Sequence, residues 1–197
     1  MNNEVFKYYV DEINLLTNFV KIAAEHFNKI INEKDADNNL VWYDLQNIII
    51  YSADVSKILW GSKGSTKFDK KYHLYRSEFR KLLEVEDDWE IGPDNKILRN
   101  KLEHIDENIV KFTSKNHIIV YDRNIVSIYN MASINGIMFN PNKEMTLRSY
   151  NVDLGEYIFF GRAFNVKKAC EECRRLRLKT DELIKNEVSY EDLVSDD

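Results

Sequence analysis

Between Ile97 and Phe112 the chain reads ILRNKLEHIDENIVKF, and its apolar residues Leu98, Leu102, Ile105, Ile109 and Phe112 recur at steps of four, three, four and three. That repeat lines up one face of an α-helix, so the stretch predicts a single helix with its apolar stripe turned to a core. Turning the helix over at about 100° per residue puts Arg99, Asn100, Glu103, His104 and Glu107 on a broad polar side, with Asn100 and His104 one turn apart. On spacing alone this is the wet face of an amphipathic helix. What adds to it is the pairing of an arginine with an asparagine directly after it and a histidine five residues on.

Arg99-Asn100 followed by His104 resembles the signature of the HEPN superfamily, α-helical domains of higher eukaryotes and prokaryotes, many of which are metal-independent ribonucleases. The resemblance covers the helical part, from about Glu4 to Lys115. It implies an antiparallel four-helix bundle and a site shared between two subunits. His104 would then exchange protons with or orient a ribose 2′-OH, Arg99 would clamp a phosphate oxygen, and Asn100 would position the phosphate or His104. Glu103 and Asp106 are candidate carboxylates for orienting the imidazole, at the cost of repelling RNA. The family also implies RNA and a homodimer partner as expectations, with a cognate antitoxin or defence-system protein in a toxin–antitoxin or phage-defence setting. No cofactor or metal is expected. The competing reading is a non-catalytic HEPN-like module that binds a nucleotide, RNA or a protein through the same groove; a scaffold bundle with a merely wet polar face is a third.

The rest of the chain is consistent with helices first and strands later. Glu4 to Asn32 predicts a long helix with a stripe that includes Val5, Tyr8, Ile13, Leu16, Val20, Ile22, Phe27 and Ile30; His26 lies close to it and is assigned no role. A polar connector, Glu33 to Asn39, leads to a second helix, Leu40 to Trp60, whose run Ile48-Ile49-Ile50-Tyr51 predicts burial on more than one side. Gly61 is its stop signal. The segment from Gly61 to Thr66 has a superficial likeness to a phosphate-binding loop, but it lacks the lysine directly before Ser or Thr after the second glycine and reads as a lysine-bearing connector. Lys63, Lys67, Lys70 and Lys71 would add a diffuse attraction for polyanions.

A third helix, Phe68 to Val85, turns Tyr72, Tyr75, Phe79, Leu82 and Leu83 inward and carries Arg76 and Arg80 one turn apart. These arginines either reach a substrate phosphate or balance the acidic run Glu84 to Glu90, and balance is the favoured reading. The run itself lacks calcium-loop spacing and reads as a solvated loop. Gly92-Pro93-Asp94 marks the next helix start, with Asp94 a candidate cap.

After Lys115 the texture changes. His117 to Tyr121 begins a strand or an extended start to another helix; Gly136 to Phe139, Met145 to Tyr150 and Tyr157 to Phe160 read as strands of a small antiparallel sheet packed on the helices. Asn165 caps a last helix, Val166 to Lys185, with the densest basic cluster of the chain. Its Arg174 and Arg175, like Arg76 and Arg80, are candidate RNA contacts, although Glu171, Glu172, Asp181 and Glu182 partly offset the cluster. Cys170 and Cys173 lie inside this helix, supply only half a structural zinc site and read as inert.

With 197 residues, the chain is expected to form one domain: a helical bundle over 1–115, a sheet-plus-helix extension over 116–187 and an acidic, frayed tail over 188–197. The fold class is mainly α. A net charge of -5 argues against non-specific coating of nucleic acid but not against a local cationic groove. The start has no cationic segment followed by an apolar run, and no stretch is long and apolar enough to span a bilayer, so a cytoplasmic protein without membrane contact is expected.

Overall fold

The structure is a computed structural model that describes residues 1–33, 37–61, 67–93, 95–114, 122–126, 132–134, 137–139 and 146–194, with backbone alone at 68–71, 95–97, 99, 132–134 and 137–139. The connector 62–66, Asp94, the stretch 115–121 and the turn 140–145 lie outside the described residues, as do the side chains of Lys70 and Lys71.

Three helices carry the core. Helix α1 (Asn3–Ile30) starts at Asn2, whose side chain accepts from Val5 N. Helix α2 (Asn38–Trp60) starts at Asp37, accepting from Asn39 N, and stops at Gly61 with φ 62°. The C-terminal helix, α6 (Val166–Lys185), starts at Asn165, accepting from Lys168 N. Phe19 stacks on Tyr51 and His26 meets Asp44, so α1 and α2 run antiparallel. Asn14 donates to Thr180 and Asp181, while the last turns of α1 face the first turns of α6, so that pair is antiparallel too. The helix expected as an extension is therefore a wall of the core.

Helices α3 (Lys67–Leu82) and α4 (Asn95–Glu103) pack on other sides of α2. Phe79 and Leu83 are buried, whereas Tyr72, Tyr75 and Leu82 are only half covered. On α1, Tyr8 and Ile22 face outward, and Thr17 takes a buried place by donating its hydroxyl to Ile13 O at 2.8 Å.

The expected helix over 97–112 is two helices. α4 ends at Glu103, His104 adopts φ -111° and ψ 42°, and α5 (Ile105–Thr113) follows. Leu98 and Phe112 are buried and Leu102 and Ile105 half-buried, but Ile109 is exposed.

The sheet is mixed and not wholly antiparallel. Its order is β1 (Asn124–Val126), β4 (Arg148–Asn151), β5 (Glu156–Phe159) and β6 (Arg162–Asn165). β1 pairs parallel with β4 through Ile125 and Tyr150, and the other pairs are antiparallel. A separate hairpin joins β2 (Ala132–Ile134) to β3 (Ile137–Phe139). β5 and β6 are linked by Phe160 and Gly161, both at positive φ, the two-residue turn whose twist suits a hairpin. The sheet packs on the helices through Phe27 against Tyr150 and Trp42 against Tyr157.

Two further expectations are corrected. The acidic loop after α3 is clamped to α6 instead of standing free in solvent: the buried Glu172 carboxylate accepts from the backbone N–H groups of Glu90 (2.8 Å) and Ile91 (3.0 Å), and Arg175 lies 4.8 Å over the ring of buried Trp89. The tail folds back as α7 (Tyr190–Val194), with Tyr190 N donating to Asn3 and its ring against Phe6.

Removing the Glu172 carboxylate strands two buried N–H donors, so Glu172→Ala should lower unfolding free energy by about 3 kcal/mol, read by urea denaturation. Burial holds this carboxyl above its ordinary value. The folded protein therefore keeps a proton where the unfolded chain has released it, and the contribution is greatest at low pH and falls as pH rises through the raised value. Measured against Glu172→Gln, which cannot titrate, the wild type should lose relative stability as pH rises from below the ordinary glutamate value through the raised one. A relative gain over that range would show that the two backbone donors outweigh desolvation.

Candidate functional site

The polar face containing the sequence signature is held by its two ends. Leu98 buries α4 against α2, and Phe112 buries α5 against Phe160 at the β5–β6 turn, ring centroids 5.6 Å apart. Lys101 completes the mooring: its ammonium donates to Phe160 O at 3.0 Å and sits over the same ring. Between these anchors the chain breaks at His104.

The break keeps one expected juxtaposition. His104 N donates to Asn100 O at 3.0 Å, so Asn100 and His104 remain one turn apart. Asn108 stabilises the bend by giving both its backbone N–H (3.0 Å) and its side-chain amide (2.7 Å) to His104 O. The His104 side chain is 63% exposed, and its Nδ1 lies 4.0 Å from a carboxylate oxygen of Glu107. Glu107 itself bonds Lys111 at 3.0 Å. Asn100, Glu103 and Asp106 are exposed. Arg99 lies on α4 one residue before Asn100, and its side chain is outside the described residues.

Three of the other candidate arginines have partners within the chain. Arg80 donates to Leu59 O at 2.6 Å, lies over Trp60 and approaches Asp87 at 3.7 Å. Arg76 packs its guanidinium on Gly61, where an added Cβ would overlap it, with its Nε and Nη1 buried and without a hydrogen-bond partner. Arg174 makes a two-pronged bond to Glu171, and Arg175 covers Trp89. Lys179 pairs with Glu84, and Arg177 with Asp181. The basic stretch of α6 thus spends much of its charge on its own neighbours.

Cys170 and Cys173 face the α1 side of α6. Burial pushes the Cys170 thiol up to about 12 and the Cys173 thiol well above its usual range, which keeps both as neutral, apolar packing groups. Among the described residues, no group of three or more His, Cys, Asp and Glu is placed to hold a metal ion.

One pair was not foreseen. His26 Nδ1 lies 2.6 Å from Asp44 Oδ2, the carboxylate being almost fully buried and the imidazole half exposed. Burial raises the Asp44 carboxyl above its ordinary value against the opposing pull of His26. The pair lines a shallow cleft of about 220 Å3 together with Phe19, Tyr43, Asn47 and Tyr51. A carboxylate that fixes an imidazole is an arrangement suited to moving protons. The available signal was Asp44 itself, a charged residue placed three after Val41 and one before Leu45 on a buried stripe, where it needs a partner.

No helix among the described residues is long and apolar enough to cross a membrane. Comparison of the chain with protein-family models, with curated proteins and with solved structures gives no match in any of the three.

Proposed function

We propose that this protein is a metal-independent endoribonuclease of the HEPN type, with a composite site formed when two copies appose their α4–α5 faces. The observation that carries the reading is the break at His104. It presents an exposed imidazole one turn from Asn100, at the start of a helix that has no side-chain cap. A phosphate oxygen suits such a helix start, and an imidazole beside it is placed to take or give a proton. The same helix exposes Ile109 and Val110, apolar surface that a second copy would cover.

In this reaction a base removes the 2′-OH proton, the 2′-oxygen attacks phosphorus, and the 5′-oxygen leaves with a proton from an acid. The products end in a 2′,3′-cyclic phosphate and a 5′-hydroxyl. One chain supplies one His104 and one Arg99; a two-fold pair supplies the acid, the base and two guanidiniums for the crowded phosphate. Asn100 positions the phosphate or His104. The setting implied by the resemblance is toxin–antitoxin or phage defence.

A second reading is favoured by the exposed carboxylates of Glu103, Asp106 and Glu107 around His104, which oppose a polyanion. On that reading the face is a non-catalytic module for a nucleotide, RNA or a protein.

Incubating the full chain with several RNAs in EDTA separates the two. Nuclease action should give cyclic-phosphate ends and fall at least about a hundredfold in His104→Ala and in Arg99→Ala. Binding without product, weakened by Arg99→Ala, supports the module. Cleavage unchanged in His104→Ala but lost in His26→Ala would move the chemistry to the His26–Asp44 pair. Val110→Asp should shift the protein from dimer to monomer in sedimentation and reduce cleavage with it, while a monomeric wild type that still cleaves would remove the composite site.

A further inference from the structure

The two helices that wall the core meet tightly at one end, where Asn14 bonds Thr180 and Asp181, and part at the other, where α1 leans on the sheet through Phe27 and Tyr150. The gap between them is a slot of about 370 Å3, within the range of small-molecule sites. Its floor is apolar and reaches the core: Val20, Phe27, Ile48 and Cys173 are all buried. Its rim is charged and uneven, with Lys21, Lys167, Arg174 and Arg177 against Glu25 and Glu171.

Within the rim Lys21 pairs with Glu25 at 3.8 Å and Arg174 with Glu171, which leaves Arg177 and Lys167, whose ammonium donates to the carbonyls of Val152 and Asp153. Arg177 is the sharper case. Its side chain is 18% exposed, its Nη1 reaches Asp181 at 3.1 Å, and its Nε is buried with no hydrogen-bond partner. A buried guanidinium N–H without an acceptor is costly, and an anionic oxygen is the group that satisfies it best. A purely apolar guest would leave that donor stranded. A small inorganic anion would leave the floor uncovered.

We propose that the slot between α1 and α6 binds a small amphiphile with one anionic group, a carboxylate or phosphate, its apolar body lying on Val20, Phe27, Tyr150 and Cys173 and its anion at Arg177. The site is independent of the α4–α5 face and of any action on RNA.

The test uses the full chain with decanoate, decanol, decyltrimethylammonium and inorganic phosphate, followed by two-dimensional NMR. Decanoate should perturb Val20, Phe27 and Tyr150 and bind at least about tenfold more tightly than decanol or the ammonium amphiphile, with phosphate alone giving no shift. Arg177→Gln should lose at least about tenfold in decanoate affinity, a drop of about 1.4 kcal/mol, and Arg177→Lys should keep part of it. Ala24→Trp, placed in the slot wall, should abolish binding while the protein stays folded by circular dichroism. Equal binding of decanoate and decanol, or binding unchanged by Ala24→Trp, overturns the proposal even if the Arg177 variants fail to fold. Perturbation by phosphatidylglycerol vesicles but not by monomeric decanoate assigns the surface to a bilayer and overturns it as well.

Discussion

The deep burial of one broad side of α2 is the constraint from which the rest of the structure follows. Val41, Leu45, Ile48, Ile49, Val55 and Leu59 have no exposed surface, and α1, α3, α4 and α6 all pack on this one helix. Each such side chain contributes about 1.5–3 kcal/mol by leaving water. A helix enclosed in this way cannot carry unsatisfied polar groups, so its few polar residues become tie points. Ser52 returns its hydroxyl to Ile49 O, Ser56 holds Gly92 O of the α3–α4 loop at 3.0 Å, and Asp44 takes His26. The polar exceptions on the most apolar helix thus fix the loop that leads into α4 and orient an imidazole on α1.

The same logic extends outward to the candidate site. Among its described side chains α4 buries Leu98 fully, and a helix of nine residues is held by such packing more than by propensity. The β5–β6 turn adds support: Phe160 carries the ring against which Phe112 packs and the carbonyl that Lys101 reaches. The sheet is therefore part of the support of His104. That support is at two points on either side of the bend, which leaves the residues between them, Glu103 to Glu107, turned to solvent except for half-buried Ile105.

Much of this was legible because it is local. The caps Asn165 and Gly61, the stripe of α2 and the span of α6 are set by residues within a turn or two of each other. The helix break at His104 was not legible, since a spacing of four, three, four and three reads identically through one irregular residue. What accompanies it is tertiary: Phe112, beyond the irregular residue, packs on Phe160 of the β5–β6 turn. The parallel pairing of β1 with β4 was hidden for a similar reason, since it joins residues 124–126 to 149–151 across a long separation in the chain. Tyr8 and Ile22 fit the α1 stripe by period but lie at its edge, where no other helix covers them. On the functional side, Arg99, Asn100 and His104 were found by motif, and the His26–Asp44 pair was missed because its members lie on different helices.

Charge placement bears most directly on what the molecule can bind. The basic stretch of α6 gives Arg174 to Glu171, Arg175 to Trp89 and Lys179 to Glu84, and Glu172, between them, holds the acidic loop in place. These bonds are the reason that a chain of net charge -5 keeps its acidic loop folded against a helix instead of repelled from it. They also mean that the attraction for a phosphate strand cannot come chiefly from α6. A single α4–α5 face, with three carboxylates near His104, is a poor polyanion site by itself. In the proposed dimer two Arg99 and two His104 would serve one phosphate, although the carboxylates would double with them. The nuclease reading therefore carries the dimer with it, since the acid, the base and two guanidiniums would come only from two copies.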